Sequence, residues 1–353
     1  MKRIKTTACF IALATALLLT GCKKAQKTEE VIKETPVIKI GTLTTLNMSE
    51  KERAGMVKAR RLALNILAHD GFVDNESMLD TNANLEVVFF DDMHSMLMAL
   101  NAGDVDRIEL HKTIADYICE QNHLLKEENS LKATKYRERF TDDLLINFLG
   151  NDFSIMMLED KTELCDTISK AITKLNSTGK LRQLVLKYIY EIDNEEPPFT
   201  VELPEFSNAK TITVAVTGDL PPMDYITPDG TPAGFNTALL AEISKLTKMN
   251  IRLVNINSGA RATALASGTV DAVFWTMTSS DSMTASMLSE NQRKERISAK
   301  RKEMTKEQVK AWTAMNELCD YITYGKSDVP EDTIITVPYF HDYKVDIVLK
   351  EEK

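Results

Sequence analysis

The chain has 353 residues, of which 43% are hydrophobic and 27% are charged, and its formal net charge is −9. At about 100–200 residues per domain, this length predicts two domains. The hydrophobic share is ordinary for a globular protein and excludes a disordered or fibrous chain. The acidic balance disfavours a nucleic-acid binder, because such a protein depends on a basic surface.

Residues 1–21 have the proportions of a secretory signal peptide. A basic start is followed by an apolar run between residues 8 and 20, which is shorter than the roughly 20 residues that a spanning helix needs. The run ends in Leu-Thr-Gly-Cys at Cys22, which resembles the lipobox of bacterial lipoproteins. That resemblance implies diacylation of Cys22, which becomes the mature N-terminus; the alternative is a plain signal peptide with a chance cysteine. Removal of residues 1–21 takes away three basic residues and no acidic one, so the formal charge changes from −9 to −12.

The segment 22–37 is polar and predicts a tether between the lipid and the folded body. No other apolar run has spanning length, so we expect a protein anchored by two acyl chains on the extracytoplasmic face of the cell membrane. Three further cysteines are too few for a disulfide framework, and whether Cys119 and Cys165 pair stays open. The histidines are scattered without zinc spacing, so we expect no metal site and no cofactor.

An internal repeat organises the rest of the chain. Ala99–Asp106 and Ala264–Asp271 both read A-L-x-x-G-x-V-D, and strand-like runs precede and follow each copy. The Gly is expected to end a helix in the left-handed conformation, and the Val to begin a buried strand. Alternating strands and helices predict two α/β lobes with parallel-type sheets, at 38–191 and 210–353, joined by a linker at 192–209. Ligands bind at the carboxyl ends of such strands, so two facing lobes predict a cleft that closes by a hinge.

The second half is similar to the first lobe of family 3 extracellular solute-binding proteins, the amino-acid receptors of ABC importers. The residues that carry the resemblance, in the family's order, are Val216–Met223, Asp229-Gly230, Gly234–Asn236, Ala264–Asp271, Trp275–Thr278 and Thr336–Phe340. The first half resembles the same family's second lobe, through Ile40–Thr45, Ala99–Asp106, Ala115–Tyr117, Phe153–Met157 and Lys174–Lys180. The resemblance implies a two-lobed fold like that of type II periplasmic binding proteins.

The two lobes stand in reverse order compared with the family. We interpret this order as a circular permutation, and the alternative is two truncated receptors in tandem. The connection before Thr336 is longer than the family needs, which predicts a charged helical insert at about 283–333. This insert is either a solvated face or a cap over the cleft, where Arg293 or Arg296 would supply a cation.

The family holds the carboxylate of its ligand with an Arg and the amino group with an Asp. Here Met283 and His111 stand at the matching positions, and the replacement of both charged anchors argues against a free α-amino acid as the ligand. The resemblance as a whole implies a small polar solute that is amino-acid-like or a derivative. Trp275 is otherwise a core residue, and the threonines near residue 44 are otherwise turn or cap residues. The candidate ligand-binding residues are Thr44, Thr45, His111, Thr217, Asp219, Tyr225, Trp275, Thr276 and Thr278.

The expected function is therefore that of a non-enzymatic, monomeric, lipid-anchored receptor, which delivers a small molecule to an ABC permease and does not bind nucleic acid. One alternative is a surface lipoprotein that senses a ligand without transport. A less favoured alternative is a dehydratase-type enzyme on the same fold, for which only His111 with Asp219 or Asp281 offers an acid–base pair.

Overall fold

The computed structural model describes residues 36–44, 84–128, 150–192, 199–279 and 332–350, together with residues 50, 51, 53–55, 57 and 61. The predicted signal peptide, the lipidation site Cys22, nearly all of the tether, the candidate Thr45 and almost the whole insert at 283–333 lie outside the described residues.

The described residues form thirteen strands and six α-helices, which confirms the predicted α/β class. The strands are β1 Val37–Leu43, β2 Asn84–Phe90, β3 Arg107–His111, β4 Leu125–Glu128, β5 Gly150–Leu158, β6 Thr211–Val216, β7 Asp219–Leu220, β8 Asp224–Ile226, β9 Pro232–Ala233, β10 Asn250–Asn255, β11 Ala272–Ser279, β12 Thr333–Ile335 and β13 Phe340–Leu349. The helices are α1 Met93–Ala102, α2 Lys112–Gln121, α3 Thr162–Ser177, α4 Lys180–Val185, α5 Phe235–Thr247 and α6 Arg261–Ala266.

Ten of these strands form one sheet, along the path β10-β6-β11-β5-β13-β3-β1-β2, with β12 beside β5 and β4 beside β13. We call β1–β4 the first half-sheet, and β5, β6 and β10–β12 the second half-sheet. At the centre of each half, a strand runs parallel to two neighbours: β1 to β2 and β3, and β6 to β10 and β11. The strand–helix alternation of the sequence predicts this pattern, because a helix returns the chain between parallel strands.

One strand belongs to both half-sheets. Residues Phe340–Tyr343 of β13 pair with β5, and Lys344–Ile347 pair with β3. Strand β5 pairs with β11 of the second half-sheet, although it precedes the predicted linker at 192–209. The chain therefore changes half-sheet before Gly150 and returns through β13.

The repeat ends one helix in each half and begins the next strand. Gly103 and Gly268 have φ angles of 76° and 70°, as predicted for left-handed residues that terminate α1 and α6. The aspartate that ends each copy then binds the central strand of its half-sheet. The carboxylate of Asp106 accepts a hydrogen bond from the Lys39 amide of β1 at 2.7 Å, and that of Asp271 accepts one from the Thr213 amide of β6 at 2.9 Å. The glycine of the shared A-L-x-x-G-x-V-D pattern therefore ends a helix, and its aspartate binds the backbone of a neighbouring strand.

Helix α3 covers the second half-sheet with one apolar face. Its buried residues recur every three or four positions, from Leu164 to Leu175, which is the period of an amphipathic helix. The helix packs against α5 and β12. Cys165 belongs to this buried face and is a free thiol, as is the half-buried Cys119, so the two cysteines do not pair. Burial raises the pKa of Cys119 to about 11.

Candidate functional site

A cavity lies at the carboxyl ends of β1 and β3, where the first half-sheet meets the second. Eight lining residues come from β1, β3, α2 and the part of β13 beside β3, and six come from the side of the second half-sheet. About 50 Å³ of the cavity is open to the centre of a water molecule. The cavity therefore has room for water or for a small solute. The sequence predicts a ligand site at this edge of the sheet, and the cavity lies there.

One wall of the cavity is aromatic. Trp275 of β11 stacks on Phe153 of β5, with ring centroids 3.6 Å apart and planes 13° from parallel. His111, at the end of β3, meets both rings edge-on, at 4.8 Å from Phe153 and 5.9 Å from Trp275. Stacked and edge-to-face rings attract one another beyond their buried area. The wall therefore joins the two half-sheets through side chains.

The backbone at Trp275 explains why this side chain reaches the cavity. Trp275 has a φ angle of 61°, and the pairing of β11 with β5 shifts between Val273 and Thr276. A left-handed residue in a strand locally breaks the alternation of side chains and re-aims the bulged residue. Such a conformation costs a bulky residue about 1–2 kcal/mol. Backbone strain of this kind is concentrated at functional sites, so the conformation of Trp275 is consistent with a place in such a site.

The other wall is charged. Glu109 of β3 is 2% exposed, and its Oε1 lies 2.9 Å from Nη2 of Arg53 and 3.1 Å from Nζ of Lys344. Arg261, at the start of α6, is 4% exposed and lines the cavity from the second half-sheet, where its Nη1 donates to the carbonyl of Phe274 at 3.0 Å. Buried charges need partners, and Glu109 has two.

Direct hydrogen bonds close the rim of the cavity. Asp219 of β7 accepts from the amide of Met93, the first residue of α1, at 2.9 Å. The amide of Ser258 donates to the carbonyl of Asp91 at 3.2 Å. Gly259 comes so near that a Cβ there would lie 2.6 Å from Oδ1 of Asp91. The two half-sheets are thus in the closed arrangement.

The environment of Asp219 has opposing effects on its ionisation. Burial raises the pKa of this carboxyl, and the negative charges of Asp224 and Asp92 act in the same direction. The hydrogen bond from the Met93 amide and the positive charge of Arg261 oppose them. The first residues of a helix lack intrahelical acceptors and favour a negative charge, which explains why a half-buried carboxylate is placed here.

The structure brings some of the predicted site residues together and separates others. Thr44, His111 and Trp275 line the cavity, and Asp219 lies at its rim. The remaining described candidates do not line the cavity: Thr217, Tyr225, Thr276 and Thr278.

These four residues lie in other surroundings. Thr217 donates to Asp224, a buried carboxylate that also accepts from Gly218 and Asn236. Burial raises the pKa of Tyr225, on β8, to about 12. Thr276 and Thr278 are almost completely buried; Thr276 pairs with β5 at Ser154, and Thr278 donates to the carbonyl of Asp152 at 3.3 Å.

Five polar or charged cavity residues are absent from the sequence-based candidates: Thr42, Glu109, Ser258, Arg261 and Lys344. Glu109 was detectable, because it lies two residues before His111 and alternate residues of a strand share a face. Lys344 lies opposite His111 in the β13–β3 register, which the sequence alone does not give. Arg261 has no local signature beyond its place at the start of a helix.

Comparison with known families gives one match. Residues 212–317 match the family described as bacterial extracellular solute-binding proteins, family 3. The matched segment includes β6 to β11 and contributes Leu220, Ser258, Arg261, Trp275 and Met277 to the cavity. The resemblance stated from the sequence is thereby confirmed for this segment. No curated protein matches the chain.

Comparison with solved structures gives matches of low identity and low TM-score. A ligand-binding component of an ABC-type import system from Staphylococcus aureus, with zinc bound, is 10% identical over 89% of this chain and 66% of that chain, with a TM-score of 0.36. A phosphate-binding protein of a phosphate ABC transporter from Streptococcus pneumoniae is 13% identical over 88% of each chain, with a TM-score of 0.30. The BvgS VFT2 domain from Bordetella pertussis is 10% identical over 89% and 81%, with a TM-score of 0.35.

None of the described helices has the length and apolarity needed to cross a membrane. Within the same part of the chain, no three His, Cys, Asp or Glu side chains are grouped so that they would hold a metal ion.

Proposed function

We propose that the chain is an extracytoplasmic solute-binding protein that captures a small polar solute, amino-acid-like or a derivative, and delivers it to an ABC permease. The observation that carries the proposal is the cavity between the half-sheets, which has an aromatic wall, a charged wall and a hydrogen-bonded rim. A site with an apolar body and a few placed polar groups is typical of small-molecule binding.

The proposed lobe order is that of a circular permutant. This order is supported by the path of the chain, which begins in the first half-sheet, forms the second, and returns through β13. The two half-sheets would then hinge about the connection before Gly150 and about β13, which pairs with both; the boundary expected at 192–209 therefore moves to the segment before Gly150. Hinge closure needs only a few residues that absorb the change in backbone angles.

The proposed membrane anchor is the diacylated Cys22, with residues 22–37 as a tether, and the proposed state is a monomer. Mass spectrometry of the protein from the membrane fraction should find the acyl chains on Cys22. A Cys22→Ser variant should lose the lipid and leave that fraction. An unmodified cysteine would contradict the anchor without affecting the binding proposal.

The binding proposal is tested by thermal unfolding of the full chain with a panel of amino acids, short peptides and organic acids, followed by calorimetric titration of each hit. We expect at least one compound to bind with one-to-one stoichiometry and to be recovered chemically unchanged. A panel without any ligand would contradict the proposal, and a ligand that is converted would favour an enzyme.

A further inference from the structure

Strands β5 and β13 pair with each other at the junction of the two half-sheets. Residues Phe340–Tyr343 of β13 lie antiparallel to Gly150–Phe153 of β5, and β13 then continues along β3 from Lys344. A change in the angle between the half-sheets must therefore bend β13 close to residues 343 and 344. Hinges of this kind need only a few residues whose backbone angles change. A side chain that bridges this point is placed to control closure.

Asp342 is such a side chain. It lies on the part of β13 that pairs with β5, yet its Oδ2 accepts a hydrogen bond at 3.1 Å from the amide of Thr113, on the helix α2 that follows β3. Its Oδ1 accepts from the amide of Tyr343 at 2.8 Å, one residue before β13 passes to β3. Asp342 is 4% exposed. A buried carboxyl group thus holds both the backbone of the hinge strand and the first turn of α2.

Ionisable groups of several elements lie around Asp342. On β13 its neighbour is His341, whose Nδ1 lies 2.8 Å from Oδ1 of Asp152 on β5. The other groups that interact electrostatically with Asp342 or with the adjacent Tyr343 are Lys112 and Asp116 of α2, Glu127 of β4, and Tyr190 of the π-helical turn Leu186–Tyr190. Burial raises the pKa of Asp342 to about 6, although the hydrogen bonds from Thr113 and Tyr343 and the charge of His341 lower it. Desolvation is the dominant effect, and it favours the neutral carboxyl group in the closed arrangement.

Opening at residues 343 and 344 would separate Thr113 from Asp342 and admit water to the carboxyl group. From this position at the hinge we propose that Asp342 is a proton-sensitive latch, whose neutral form favours the closed arrangement and whose ionised form favours the open one. The inference rests on the proposed binding function and adds a regulation of the same cavity. A solute would be held more tightly in acidic than in neutral surroundings.

The direction and size of the effect follow from linkage. Because the pKa of Asp342 is raised in the closed arrangement, from 3.8 to about 6, the proton stabilises closure at acidic pH. This stabilisation is complete below about pH 4 and is lost as the pH rises through about 6. Between about pH 5 and about pH 7.5, the closure equilibrium therefore changes by about tenfold if the opened carboxyl group is fully hydrated.

Hydrogen exchange of the full chain, resolved by residue, tests the latch without a ligand. The amide of Ser258 donates to the carbonyl of Asp91 across the rim at 3.2 Å, and neither group of this bond titrates. Its protection factor, corrected for the intrinsic effect of pH on exchange, should fall by about three- to tenfold between about pH 5 and about pH 7.5. Urea at low concentration should leave this exchange unchanged, because the opening of a hinge exposes little surface. Constant protection, or exchange that depends on urea as global unfolding does, would overturn the inference.

Variants assign the effect to one carboxyl group. Asp342→Asn cannot ionise, so the protection of Ser258 should change by less than about twofold over the same pH range. Two matched controls should keep the fall: Asp152→Asn, which removes the partner of His341 on β5, and Asp219→Asn, which removes the ionisable group at the rim. A fall that persists in folded Asp342→Asn, or that disappears in either control, would overturn the inference. These outcomes leave the binding function standing, whereas a panel without any ligand would overturn that function whatever the exchange shows.

Discussion

The contact between Asp219 and the Met93 amide gives the sharpest test of closure, because this amide has no other natural partner. Met93 is the first residue of α1, and the first amides of a helix have no acceptor within the helix. It donates a hydrogen bond to the carboxylate of Asp219, on the opposite side of the cavity rim, at 2.9 Å. Protection of this amide from hydrogen exchange therefore reports that the two half-sheets are closed.

The expected magnitude follows from the kind of bond. A hydrogen bond to a charged group contributes about 1.5–3 kcal/mol, and each 1.4 kcal/mol is a factor of ten in an equilibrium constant. Asp219→Ala should therefore accelerate exchange at the Met93 amide by about 10- to 150-fold. Residue-resolved hydrogen exchange of the wild-type and variant chains measures this change.

The same helix supplies an internal control. The amide of Ser95 donates to Asp92, the local N-cap, at 2.8 Å. Its exchange should change by less than threefold in Asp219→Ala, because its acceptor lies in the same half-sheet region. Equal acceleration at both amides would indicate a frayed helix rather than an opened rim. An unchanged rate at Met93 would refute the closed arrangement.

Three further predictions concern closure and stability. Gly259→Ala places a Cβ 2.6 Å from Oδ1 of Asp91 and should weaken ligand binding about fivefold or more by calorimetry, whereas Gly55→Ala, with nothing within 4 Å, should not. Burial raises the pKa of Asp342 from 3.8 to about 6, so the folded state binds the proton more tightly than the unfolded state. The free energy of unfolding should consequently fall by up to about 3 kcal/mol as the pH rises from about 4 to about 6, and urea titrations should find that Asp342→Asn removes this dependence. Asp224→Ala should lower the free energy of unfolding by about 3 kcal/mol or more, because it leaves two buried donors and one half-buried donor without their acceptor; a loss below 1 kcal/mol would contradict this.

The sequence predicts local structure well in this chain. The repeat predicts the helix stops at Gly103 and Gly268, since a left-handed glycine and the strand after it are set by neighbouring residues. The period of apolar residues likewise predicts the central parallel strands of each half-sheet.

The sequence did not reveal which residues that are far apart in the chain contact each other in the fold. The partners of Glu109 come from residue 53 and residue 344, and no local pattern joins them. The threonines at 276 and 278 were favoured by resemblance, but the left-handed Trp275 changes which side chains of β11 reach the cavity. Arg261 likewise lines the cavity because the fold brings the start of α6 there, which no local pattern indicates.

The most direct test of the whole account is a crystal structure of the full chain with the tightest-binding compound of the panel. The account predicts ligand density in the cavity between Trp275 and Arg261, in contact with both half-sheets. Density at another place on the surface, or in contact with one half-sheet alone, would contradict it.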